Sequence, residues 1–104
     1  MTNAKKELQK SLKNLSPIKC AKIRIGYDYG ENDNKIYLLK VNHNEKDLKA
    51  FFKELDFEYD SGYGGQELYG TIWLTDGTWL DRGEYDGSEW WEHQSCPEIP
   101  EEIL

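Results

Sequence analysis

The sequence predicts an α+β domain in the order α-β-β-α-β-β-β, an antiparallel β-sheet of about five strands with two helices packed on it, on one face. Three observations predict it. Apolar residues recur at helical spacing in two places, at Ala4, Leu8, Leu12 and Leu15 and again at Leu48, Phe51, Phe52 and Leu55. Residues 20–27 alternate apolar with polar, as half-buried strands do, and 35–41 resumes as their partner. Asp76-Gly77 and Asp86-Gly87 each lie between short runs rich in Trp, Tyr, Ile, Leu and Thr, the strongest short-range signal for a hairpin.

The first helix is capped by Thr2 or Asn3 and stopped by Pro17, with Lys5, Lys6, Glu7, Lys10 and Lys13 opposite a narrow apolar stripe. It therefore lies on the domain surface. In the next strand Ala21, Ile23, Ile25 and Tyr27 share one side and Lys22, Arg24 and Gly26 the other. Tyr29 to Asn34 is a polar turn that lacks the spaced ligands and terminal Glu of a calcium loop. Asn42 or Asn44 caps the second helix, Glu45 to about Leu55, whose broad aromatic face gives the sheet its cover. Residues 61–65, Ser-Gly-Tyr-Gly-Gly, form a connector without the Lys-Ser/Thr of a phosphate-binding loop.

The following stretch, 66–94, holds all four tryptophans and reads as a three-stranded meander. A two-residue turn at Asp76-Gly77 sets Leu74 opposite Trp79 and Trp73 opposite Leu80. The same rule at Asp86-Gly87 places Arg82 across from Trp91 but Glu84 across from Glu89, a like-charge pair that predicts a longer or bulged second loop. The tail after His93 is stiffened by Pro97 and Pro100 and is expected to run extended along the domain, with Ile99 and also Leu104 tucked in.

At 104 residues the chain, 1–104, is expected to be a single domain. No apolar run is long enough to span a bilayer and residues 1–10 have no signal-peptide core, so a cytoplasmic protein is expected, with Cys20 and Cys96 as reduced thiols. The net charge is −7, unevenly spread. Residues 1–55 hold 12 Lys and Arg against 7 Asp and Glu; residues 56–104 hold one cation, Arg82, against 13 acids. The halves stand at +5 and −12, and the acidic half argues against direct binding of nucleic acid.

No catalytic constellation emerges. The acids are many, but nothing in the pattern sets one desolvated and one ionised carboxylate in a pair. His93 and Cys96 form H-x-x-C without the second short spacing of a zinc site, and no group orients a Cys-His nucleophile pair. The expectation is no enzyme, no metal and no cofactor.

What rises above composition is acid interleaved with aromatic: Glu58, Asp60, Tyr63, Asp76, Asp81, Glu84, Tyr85, Asp86, Glu89, Trp90 and Glu92 are the candidate partner-binding residues. A row of carboxylates on a stiff sheet imitates a phosphate backbone and is drawn to a basic cleft, and Trp and Tyr supply rigid anchors. The partner expected is a protein with a basic nucleic-acid-binding cleft. A toxin immunity protein shares these features; a small ligand-binding sponge or enzyme would instead use the Gly-rich loop and tryptophans as a pocket.

Residues 70–100, GTIWLTDGTWLDRGEYDGSEWWEHQSCPEIP, resemble the C-terminal part of small proteins encoded by bacteriophages and other mobile elements, in the order DGTW, EYDGSEWWE and P-x-I-P. The resemblance covers about the last third of the chain. It implies a context of inhibitors of host defence, anti-CRISPR proteins and DNA mimics among them, and assigns no site residue. The lysine-rich first half departs from a uniformly acidic mimic.

Overall fold

A computed structural model of the chain describes residues 2–26, 35–59, 66–85, 88–97 and 99–103. The elements run β1 (Thr2–Asn3), α1 (Ala4–Leu12), β2 (Ile18–Ile25), β3 (Lys35–Leu39), α2 (Glu45–Glu54), β4 (Glu58–Tyr59), β5 (Leu68–Leu74), β6 (Trp79–Tyr85) and β7 (Ser88–Gln94), followed by a short 3-10 turn at Glu101–Ile103. The α+β prediction is met: an antiparallel five-stranded sheet, ordered β3-β2-β5-β6-β7, carries both helices on one face.

The helices start where their caps predict. Asn3 Oδ1 accepts the Lys6 N–H at 3.0 Å, and Asn44 makes a full capping box with Asp47, satisfying two donors that a helix start leaves orphaned. Among the two predicted caps for α2, Asn44 is the one used. α1 stops at Leu12, ahead of Pro17, with Asn14 in the left-handed region at φ 67°.

Strand alternation sends Ala21, Ile23 and Ile25 of β2, Tyr37 and Leu39 of β3, Leu68, Ile72 and Leu74 of β5 and Leu80 of β6 toward the helices. Ala4 and Leu8 of α1, Phe51 of α2 and Leu55 at its C-cap close that layer from the other side. Each fully buried Leu or Ile contributes on the order of 1.5–3 kcal/mol. A bulge between Ile18 and Cys20 lets Ile18 join the core although it lies three residues from Ala21. At Gly70 the neighbouring strands approach so closely that a Cβ would fall 2.5 Å from the Lys22 carbonyl oxygen.

Three expectations are corrected and one element was not foreseen. Asp76-Gly77 is not a two-residue turn: Trp73 pairs with Trp79 and Ile72 with Leu80, one residue away from the predicted register. The Leu74 N–H bonds the Thr78 carbonyl at 2.9 Å across a three-residue loop, and Gly77 at φ 88° supplies the left-handed residue that such a loop needs. Conversely, β6 and β7 keep the two-residue register, with Tyr85 paired to Ser88 and Glu84 to Glu89. Ile99 does not tuck in: it is 64% exposed and Ile103 is 73% exposed, while Leu104 lies outside the described residues. Finally, β1 and β4 pair as a second, two-stranded sheet that two-residue segments give no periodicity to predict.

Candidate protein-binding surface

The side chains singled out in the sequence fall into three separate places. Asp81, Trp90, Glu92 and Tyr85 lie on the sheet face away from the helices. Glu84 and Glu89 lie on the helix side, and Asp76 and Glu58 are exposed elsewhere, in the β5–β6 loop and on β4. Asp60, Tyr63 and Asp86 are outside the described residues. A single row of carboxylates is therefore not formed by the described acids.

Glu89 requires the firmest correction, because it is 5% exposed and cannot meet a partner. Its Oε1 accepts from Arg82 Nη2 at 2.7 Å and the Leu68 N–H at 3.0 Å, and its Oε2 accepts from the Glu67 N–H at 2.9 Å. The Arg82 side chain, 3% exposed, also donates to Glu7 Oε1 at 2.9 Å, to Tyr59 Oη at 2.9 Å and to the Leu68 carbonyl at 3.3 Å. Its guanidinium lies 4.8 Å from the centre of the buried Trp91 ring. One cation thus ties α1, β4, β5 and β7 together.

Desolvation opposes the charge on Arg82, yet Tyr59, Glu7 and Glu89 outweigh it and hold its pKa above the ordinary value. Tyr59 is pushed well above its ordinary value, first by burial and then by the hydrogen bond it donates to Glu7. Asp76 lies below the usual carboxylate range because the Thr78 hydroxyl and backbone N–H both donate to it. That arrangement is a solvated loop, not a site.

The face away from the helices is uncovered by any described element. Following the registers across β3-β2-β5-β6-β7, one row reads Leu38, Lys22, Thr71, Asp81, Glu92. The row beside it reads Ile36, Arg24, Tyr69, then Gly83 and Trp90, with Tyr69 level with Gly83 by continuation of the β5–β6 register. On the other side lie Cys20, Trp73, Trp79 and Gln94. Cations stand on β2 and carboxylates on β6 and β7, either side of the central strand β5.

Two of the indoles on this face, Trp79 and Trp90, are anchored by those acids. Trp79 Nε1 donates to Asp81 at 2.9 Å and Trp90 Nε1 to Glu92 at 2.8 Å, while Thr71 Oγ1 donates to Asp81 at 3.1 Å. Trp90 lies across Gly83, where a Cβ would come 2.5 Å from its Nε1. The Arg24 guanidinium stands 4.1 Å from the Tyr69 ring centre, beside an open trough of about 250 Å³ that Lys22, Ile36, Thr71 and Trp73 also line. Trp73, Ile36 and Leu38 are 43%, 53% and 61% exposed, so the apolar area is real. Sequence reasoning did not single out Ile36, Leu38, Lys22 and Arg24 as members of this face, although the outward half of the β2 and β3 alternation carried the signal.

A second hollow, of about 350 Å³, lies between β3 and α2 and has no tryptophan in its lining. The glycine-rich segment 61–65 lies outside the described residues. His43 Nδ1 lies 2.6 Å from the Lys40 carbonyl and His93 Nε2 lies 2.8 Å from Thr78 Oγ1. Cys20 and Cys96 are free thiols. Among the described residues there is no cluster of metal-ligating side chains, and no helix is long and apolar enough to cross a membrane. No protein-family model, no curated protein and no solved structure matches the chain.

Proposed function

We propose that this chain is a stoichiometric binding protein of inhibitor type, whose acidic C-terminal half occupies the basic cleft of a nucleic-acid-handling protein such as a CRISPR effector or another defence nuclease. No turnover is involved. One observation carries the reading: Arg82, the only cation of residues 56–104, has a side chain 3% exposed and is locked between Glu7 and Glu89. The exposed charges that this half contributes are thus carboxylates, and where they lie away from Lys22 and Arg24 of β2 their field speeds encounter with a cationic groove.

The contact centres on the β6–β7 turn, where Tyr85 is 77% exposed beside the exposed Glu84 and is followed by Asp86. An aromatic among acids at the tip of a hairpin anchors in a pocket while the charges align with the groove. Because the described carboxylates form patches rather than a row, the imitation is of a few phosphates, not of a strand.

The test is a titration of purified protein against candidate nucleases, read as binding and as inhibition of cleavage, at rising salt. Binding that weakens about tenfold or more from low to high salt is expected. Glu84→Lys combined with Asp86→Lys should abolish inhibition while leaving the fold intact. Inhibition by that double variant equal to the parent's would overturn the reading.

A further inference from the structure

The uncovered sheet face has a property that the inhibitor reading does not use: its charge is antisymmetric about its own central strand. Lys22 and Arg24 stand on β2, one strand to one side of β5; Asp81 stands on β6, one strand to the other side, with Glu92 on β7 beyond it. We propose that this face is a two-fold interface for a second copy of the same chain, with β3 and β2 of one copy stacked on β7 and β6 of the other.

The register dictates the match. A two-fold axis lying in the interface and running along β5 exchanges β2 with β6 and β3 with β7 while keeping each row at its own height. Lys22 shares its row with Asp81 and Glu92, so it lands over the partner copy's Asp81 with Glu92 one strand further, about 4.8 Å away. Ile36 shares its row with Trp90, so an exposed aliphatic side chain meets an exposed indole. Each contact occurs twice, as an isologous interface requires. An axis across the strands would instead set β2 on β2 and bring cation to cation.

The exposed apolar side chains suit this occupant, and the size of the face sets how tightly it binds. Five strands at about 4.8 Å spacing and roughly 20 Å length give a footprint of about 500 Å² per copy, smaller than the roughly 800 Å² of a standard stable interface. The dimer is therefore modest and concentration-dependent. A single-stranded nucleic acid is the weaker occupant, because the Asp81 and Glu92 carboxylates share the face with the cations and repel phosphate.

Sedimentation or light scattering over a concentration series tests the proposal, with two variants. Lys22→Glu places an acid over the partner's Asp81 and beside its Glu92; Asp81→Asn with Glu92→Lys removes the acid beneath Lys22 and sets a cation one strand from it. Each variant alone is expected to remain monomeric where the parent dimerises, with unchanged circular dichroism. Mixed one to one, the two should recover a heterodimer near the parent's affinity, since both sets of contacts are then complementary. A parent that stays monomeric up to about millimolar concentration, variants that self-associate like the parent, or a mixture that fails to associate would each overturn the interface. So would a monomer whose tryptophan fluorescence instead titrates with single-stranded oligonucleotide. The inhibitor reading concerns the hairpin tip and survives any of these outcomes, just as the dimer survives loss of inhibition.

Discussion

The two faces of the one sheet solve opposite problems with the same strands. The helix-side face is aliphatic, with Ile23, Leu68, Ile72 and Leu80 nearly inaccessible, and among the described residues it buries charge only where Arg82 is satisfied by Glu7, Glu89 and Tyr59. The other face uses Trp73, Trp79, Trp90 and Tyr69, rings with a polar handle, and spends its acids on holding indoles in place. Aliphatic side chains fill a closed core; amphipathic rings suit a surface dry in one state and wet in another. The difference separates what keeps the protein folded from what it presents.

The comparison breaks most severely inside. Phe51→Ala removes a ring that is 3% exposed, and is expected to cost about 3–5 kcal/mol by denaturant unfolding. Arg82→Met leaves the Glu7 and Glu89 carboxylates without their partner and is expected to cost about 3 kcal/mol, read in the same way. A core that tolerated Arg82→Met would mean that the cluster is incidental to α1 docking.

Tyr59 sharpens the comparison through pH. Its pKa is raised in the fold, so above its ordinary value of about 10 the unfolded chain releases a proton that the folded chain keeps. Its share of stability is complete below pH 10 and falls as pH climbs toward the folded value. Tyr59→Phe should flatten that alkaline decline in melting temperature while lowering stability at neutral pH through its lost hydrogen bonds to Glu7 and Arg82. The smallest effect belongs outside: Trp73→Ser, at a residue 43% exposed, should change stability by less than about 1 kcal/mol. A larger loss would mean the outer face is needed for folding of the monomer.

The sequence carried the elements better than their pairing. Both helices were legible because Asn3, Asn44 and the i, i+3, i+4 apolar spacing act locally. The slip at Asp76-Gly77 was not, since Asp-Gly fits a two-residue turn as readily as the observed three-residue loop, and one residue changes which tryptophans share a face. Glu84 opposite Glu89 argued against a tight second turn only while Glu89 was counted as exposed. Arg82 neutralises it from two residues before Glu84 along β6, and Glu7 joins from the far end of the chain, a contact no local rule anticipates. The outward face was half legible: Trp90, Asp81 and Glu92 face outward together, but Glu89 was counted with them because composition does not reveal which acid is buried.

The strand order has one further outcome. The boundary between the basic and acidic halves falls before β4, yet the sheet places β2 of the first half directly beside β5 of the second. Charge is segregated along the chain while the backbone pairing interlocks it. Cutting out residues 56–104 as a minimal acidic fragment would strip β5 of its neighbour and Arg82 of Glu7, so any shortened reagent made from this scaffold must keep the lysine-bearing portion as well.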